Sequence, residues 1–112
     1  MAPVRWTPQA ANDLDAIAEF IARDSPHLAG LFVADVLQAV DRLVDFPESG
    51  RMVPEIGEKN IREIILGSHR RIYRRRTEAV EILTVHHGAR ILDPRASPVL
   101  LHAMSPSVLD AP

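Results

Sequence analysis

A chain of 112 residues, 46% hydrophobic and 25% charged, has the size and balance of one domain with a single core. It holds no cysteine, which excludes disulfides, and no apolar run nears the roughly 20 residues of a membrane span, so neither a membrane role nor a secretory leader is expected and a cytoplasmic setting is. The net charge of −2 is split unevenly: residues 1–50 carry three Lys/Arg against eight Asp/Glu, and residues 51–112 carry ten against seven, an acidic front and a basic back suited to an anionic partner.

Residues 4–6, "VRW", are β-branched and aromatic and read as a short strand running into a helix. Thr7 supplies a capping hydroxyl, and Pro8 suits the first helical position because its missing N–H would go unbonded there anyway. Leu14, Ile17, Ala18 and Ile21 then recur on one helical face. "DSP" at 24–26 repeats the start signal. The second helix carries a wide apolar stripe through Phe32, Val36, Leu37, Val40 and Leu43 and ends at Phe46–Pro47, since proline disfavours helix at the residue before it. The link between the two helices is so short that they must form an antiparallel hairpin. Its inward residues are expected to be Leu14, Ile17, Ile21, Phe32, Val36, Leu37, Val40 and Leu43.

Residues 47–59 hold two Pro and two Gly and read as a loop. From there the apolar period changes from 3.6 to 2. "NIREIIL" (60–66), "RRIYRRR" (70–76) and "AVEILTVHH" (79–87) are three runs joined by connections that demand antiparallel hairpins. In the middle run, alternation sends Arg71, Tyr73 and Arg75 to one side and Arg70, Ile72, Arg74 and Arg76 to the other. Residues 94–112 are rich in Pro and Ser and read as a tail, mostly weakly ordered, behind a domain at 1–93, with apolar "VLLHAM" able to form one loosely packed turn or helix. The fold class is α+β, in the order β-α-α-β-β-β: a helical hairpin on one face of a small, mostly antiparallel sheet, with the first strand at an edge or beside the last.

The chemistry is concentrated in the Arg/His set. His86 and His87 are adjacent on a strand, so they point to opposite faces and cannot chelate together; with no Cys and no His pair at helical i, i+4 spacing, no metal site is expected. No glycine-rich phosphate loop is present, and no cofactor is implied. Strand adjacency gathers Arg70, Arg71, His86, His87 and Arg90 near one another. Arginine forks match phosphate oxygens, and histidine can move protons in RNA cleavage. The same arginines could equally decorate a solvated face and pair with Glu63, Glu78 and Glu81.

The opening "VRWTPQAANDLDAIAEFIA", the helix ending "LVDFPESGR", the run "IREIILGSHRRIYRRR" and the ending "VEILTVHHGAR" follow the order and spacing of the ParE/RelE superfamily of bacterial toxins, which the chain resembles from Val4 to about Asp93. The resemblance implies the same helical hairpin on an antiparallel sheet, and the toxin half of a type II toxin–antitoxin pair, neutralised by a ParD/RelB-like antitoxin that wraps around it. RelE-like members cleave messenger RNA on the ribosome, whereas ParE-like members inhibit DNA gyrase. Arg70 matches the family's arginine on the middle strand and Arg90 its arginine after the last strand. The C-terminal tyrosine of some RelE-like members falls near Ala96, and their lysine cluster reduces to Lys59. The opening and the "PESGR" loop are ParE-like. The resemblance thus implies a gyrase-binding toxin, with His69, Arg70, Arg71, Tyr73, Arg74, Arg75, Arg76 and Arg90 as surface for target or antitoxin. A ribosome-dependent endoribonuclease using Arg70, Arg90, His86 and His87 is the second reading, and an inert, complex-forming relative the third.

Overall fold

In the computed structural model, which describes residues 3–88 and 92–103, two helices pack on one face of a five-stranded sheet. The elements are β1 (Val4–Trp6), α1 (Pro8–Ala22), α2 (Pro26–Asp45), β2 (Arg51–Met52), β3 (Ile61–Leu66), β4 (His69–Arg75) and β5 (Val80–His87), then a 3₁₀ turn (Pro94–Ala96) and α3 (Pro98–Ala103). The sheet order is β1-β5-β4-β3-β2, antiparallel except where β1 lies parallel to β5 at the edge. The helix starts form as the sequence implies. Thr7 Oγ1 accepts from the Ala10 N–H, Ser25 Oγ accepts from the Leu28 N–H, and each following proline opens its helix. Thr7 also donates to the Ile82 carbonyl at 2.8 Å, so one hydroxyl caps α1 and fastens it to β5. Asp13 lies off the apolar stripe of α1 but is not idle: its Oδ2 accepts from the Thr84 hydroxyl and from the Val85 N–H.

The hairpin turn at Gly67 has a positive φ of 60°, a conformation only glycine adopts freely. Two features escape the sequence pattern. Arg51–Met52, inside the expected loop, pairs with β3. A bulge in β5 opposite Ile72/Tyr73 adds one residue and shifts the register, so that His86 lies across from Arg70 and His87 across from His69.

The core differs from expectation in two ways. Of the eight inward residues, Val36, Val40 and Leu43 are buried, while Leu14, Ile17, Ile21 and Phe32 are half-buried. Leu37 is 46% exposed, because it sits about 100° round the helix from fully buried Val36. The first cluster joins Ala10, Val36, Val40 and Leu43 of the helices to Tyr73, Val80 and Ile82 of the sheet. A second cluster lies on the opposite face, where Val53, Ile61, Ile72 and Leu83 meet Leu92, Leu100 and Ala103. Residues 94–103, read as mostly weakly ordered tail with a loosely packed turn, thus end in a helical turn whose Leu100 is fully buried. Pro98 opens that turn and apolar "VLL" supplies its packing, which outweighs the Pro/Ser composition.

Candidate functional site

The arginine-rich strand β4 splits its cations between the two sheet faces, and the faces treat them differently. On the face away from the helices, Arg70 donates from Nε to Glu63 Oε1 at 2.5 Å and from both terminal nitrogens to the two oxygens of Glu55, at 2.6 and 2.8 Å. Glu63 is fully buried and takes a second bond from Arg51 Nε at 2.7 Å. It stands beside Ile72, at an inward position of the apolar run "IREIIL", where an ionised carboxylate persists only with cations around it. The bidentate hydrogen bonds from Arg70 are the main reason Glu55 is held down at about 2, and the same pairing raises the Arg70 guanidinium above its ordinary value. Three of the five N–H donors of Arg70 are therefore committed, and its side chain is 11% exposed.

Further along, Arg74 donates to Glu81 Oε1 from Nε and Nη2, Arg76 reaches the same oxygen at 3.3 Å, and Arg75 pairs with Glu48 and donates to Asn60 Oδ1. Burial pushes the Glu81 carboxyl up, but the bonds and charges of Arg74 and Arg76 outweigh it and leave the group below its usual range. Arg74, Arg75 and Arg76 line an open cleft of about 810 Å³ together with Glu58, Lys59 and Asn60. Its cations are largely neutralised from within, with Lys59 unpaired among the described residues.

The face toward the helices carries Tyr73 and Arg71. Tyr73 is fully buried. Its hydroxyl accepts from the Gly50 N–H at 3.0 Å and donates to the Pro47 carbonyl at 2.9 Å, which closes the "PESGR" loop onto the sheet. A side chain at Gly50 would meet the Glu63 carbonyl oxygen at 2.6 Å and the Tyr73 hydroxyl at 2.7 Å, so only glycine fits that approach. Arg62 Nη1 completes the lock by donating to the Gly50 carbonyl at 2.9 Å. The loop motif and the tyrosine strand, separate in sequence, are thus two halves of one structural fastening. Burial also pushes the Tyr73 phenol up, against the Gly50 bond and the Arg62 charge, which suits it poorly to proton transfer near neutral pH.

Arg71 is 2% exposed, and its Nε, Nη1 and Nη2 find no hydrogen-bond partner among the described residues. Burial draws its guanidinium below its ordinary value, opposed only by the charge of Asp35 on α2. Its strand neighbour on the same face, His69, is half-buried with its ring 5.0 Å from that of Phe32, one turn before Asp35. Arg71 therefore lies against the Phe32–Asp35 turn of α2.

The expected site residues do not form one surface. Tyr73 and Arg71 are interior, Arg74 nearly so, and only Arg76 of the set from Arg70 to Arg76 is classed as exposed. His86 lies across from Arg70 and is half-buried. Arg90, like the side chain of His87, lies outside the described residues. Glu55 and Gly50, which help to organise the site, were not expected from the sequence; Glu63 was expected as a partner of these arginines on a solvated face, whereas it is fully buried. The signal for Glu63 was present: an acid at the inward position of an alternating apolar strand needs a buried partner. Among the described residues no group of three or more His, Asp or Glu could hold a metal ion, and no helix is long and apolar enough to cross a membrane. The helices also display exposed apolar side chains: Phe20 with Arg23 over its ring at 5.9 Å, Leu28, Leu31 and Leu37.

A family model described as "ParE toxin of type II toxin-antitoxin system, parDE" matches residues 4–92. A protein of Sinorhizobium fredii named "Putative toxin Y4kP" is 41% identical over 87 residues, covering 76% of this chain and 86% of its own length. "Toxin RelE2" of Caulobacter vibrioides is 33% identical over 92 residues, covering 81% of this chain and all of its own. Among solved structures, a chain from "Chromosomal ParDE TA system from P. aeruginosa" superposes with a TM-score of 0.65 at 26% identity, covering 78% of this chain and 96% of that one.

Proposed function

The chain belongs to the ParE toxin family of type II toxin–antitoxin systems, and from that premise we propose that it acts by occupying DNA gyrase rather than by cutting message, and that a ParD/RelB-like antitoxin silences it. The observation that carries this reading is the state of Arg70. It matches the arginine that RNA-cleaving relatives use, yet it is clamped by Glu55 and buried Glu63. Stabilising a phosphate in flight needs free donors aimed at the developing charge. Freeing this guanidinium would leave Glu63 with Arg51 alone. Tyr73 is buried and committed to the 47–50 loop, which leaves His86, half-buried across from Arg70, as the candidate for proton transfer beside it among the described residues.

The antitoxin is supported by the similarity to a chain from a ParDE system and by the exposed leucines of α2, which suit the apolar face of a partner segment. Full-length similarity to a protein named Toxin RelE2 favours a second reading, a ribosome-dependent endoribonuclease. Expression of the chain without antitoxin separates the two. Loss of supercoiling by purified gyrase, with message 5′ ends unchanged, supports the first. Codon-phased cuts that disappear in Arg70→Ala support the second.

A further inference from the structure

Strand β2 covers only part of the edge of β3. It pairs Arg51 with Glu63 and Met52 with Arg62, and the Val53 N–H donates to the Ile61 carbonyl. Next to Arg51 the backbone turns out of the sheet at Gly50, whose N–H donates to the Tyr73 hydroxyl and whose carbonyl accepts from Arg62. An antiparallel ladder alternates its bonds from one residue to the next. Ile61 faces β2, and Asn60 accepts from Arg75 at the start of the β4 ladder, so Glu63 and Ile65 also direct their N–H and C=O away from β4. Glu63 meets Arg51 there. Ile65 meets no strand among the described residues, and it is 48% exposed.

This open edge lacks the usual guards. Folded proteins place lysine, proline or a covering element on a free strand edge, whereas residues 64–66 read "IIL". The apolar surface continues onto α2. His69, across from Leu66, packs its ring against Phe32, so the first turns of α2 lie over this end of the sheet. Leu28 and Leu31, beside Phe32, are 55% and 50% exposed. An open hollow of about 370 Å³ borders Ile65 and is lined also by Arg51, Gly67, Ser68, Arg70 and Gly88. Arg51 is 59% exposed and spends its Nε on Glu63, which leaves its two terminal nitrogens for another acceptor.

We propose that the antitoxin adds a short apolar strand to β3 across Ile65, with one acid at the end beside Arg51. This rests on the reading that an antitoxin binds the chain, and it names how the segment is held. Main-chain bonds to the Ile65 N–H and C=O supply the attachment. Alternation places the residue across from Ile65 on the Ile65 face of the sheet and sends its two neighbours to the helix side, toward half-buried Ile64 and the Leu28–Phe32 turn. The acid meets the exposed end of Arg51 where β2 stops, and so fixes the register.

The test uses the full chain and the antitoxin co-expressed from the adjacent reading frame. Hydrogen exchange read residue by residue should show the Ile65 amide exchanging freely in the free chain and roughly 100-fold more slowly in the complex. The Ile64 amide, which faces β4, should be protected in both. Ile65→Pro removes the outward N–H, a change that a strand edge tolerates, so the free chain should keep its urea midpoint while affinity for the antitoxin falls about tenfold or more. Ile65→Val keeps the N–H and should bind like the parent. Replacing the antitoxin's acids singly by amides should reveal one whose effect disappears in an Arg51→Gln background; if none does, the acid is struck from the proposal. Two results would overturn the added strand: an Ile65 amide that exchanges equally fast with and without antitoxin, or one already protected in the free chain, which would mean that a second copy or another part of this chain covers the edge. Should Ile65→Pro fail to fold, the exchange comparison on the parent decides. A parent chain that captures no antitoxin removes the underlying reading as well, a result distinct from tight binding with an unprotected Ile65 amide.

Discussion

Replacing Arg70 by Met asks whether this arginine is a structural counter-ion or a free functional group. In the native chain, the fully buried Glu63 carboxylate has two cations, Arg70 at 2.5 Å and Arg51 at 2.7 Å, and Arg51 is 59% exposed. Removing one partner of a buried pair costs about 3–5 kcal/mol, because the other charge is left uncompensated. Arg51 remains, which holds the loss to the lower end. Glu55, about a third exposed, loses a partner too, but water screens that pair to about 0–1 kcal/mol. The expected cost is therefore about 3 kcal/mol, or about 12 °C in Tm at the unfolding entropy usual for a chain of this length. Urea unfolding followed by circular dichroism measures it. The Arg70→Met/Glu63→Leu double variant should recover part of the loss, since it removes the stranded charge along with its partner. A cost for Arg70→Met below about 0.5 kcal/mol, the level of ordinary surface changes, would refute the reasoning and return Arg70 to the pool of available phosphate ligands.

Gly50→Ala should destabilise by about 1–3 kcal/mol through overpacking against the Glu63 carbonyl, with thermal unfolding as the readout. Leu100→Ala should cost about 2–5 kcal/mol despite lying beyond the matched residues 4–92, and a loss near zero would remove α3 from the core. Acid should weaken the fold in a defined window. Glu55 is lowered from 4.5 to about 2 on folding, so its contribution is complete above about pH 4.5 and is lost as pH falls toward 2; Glu81, also lowered, acts in the same direction. A pH titration of the unfolding midpoint in Glu55→Gln should show a shallower fall across that window than in the parent.

Local physics was written plainly in the sequence. Thr7–Pro8 and Ser25–Pro26 start helices wherever they stand, because a side-chain oxygen and a missing N–H act on their own turn. The change of apolar period at residue 60 and the connections after Leu66 and Arg75 dictate antiparallel hairpins, and with them the α+β architecture. Alternation also assigned Arg70 and Arg71 to opposite faces correctly. What each face meant was beyond reach, since burial depends on what the chain later lays over it. Glu55 arrives from the loop to clamp Arg70, Gly50 brings the backbone under Tyr73, and Leu100 closes the second face, across 15, 23 and 17 residues respectively when counted to Arg70, Tyr73 and Leu83. A strand of arginines carries the same charge in any order, but which of them is neutralised, and which is left without a ligand, follows from desolvation and distance. Both exist only once the sheet, the helices and the loop have come together.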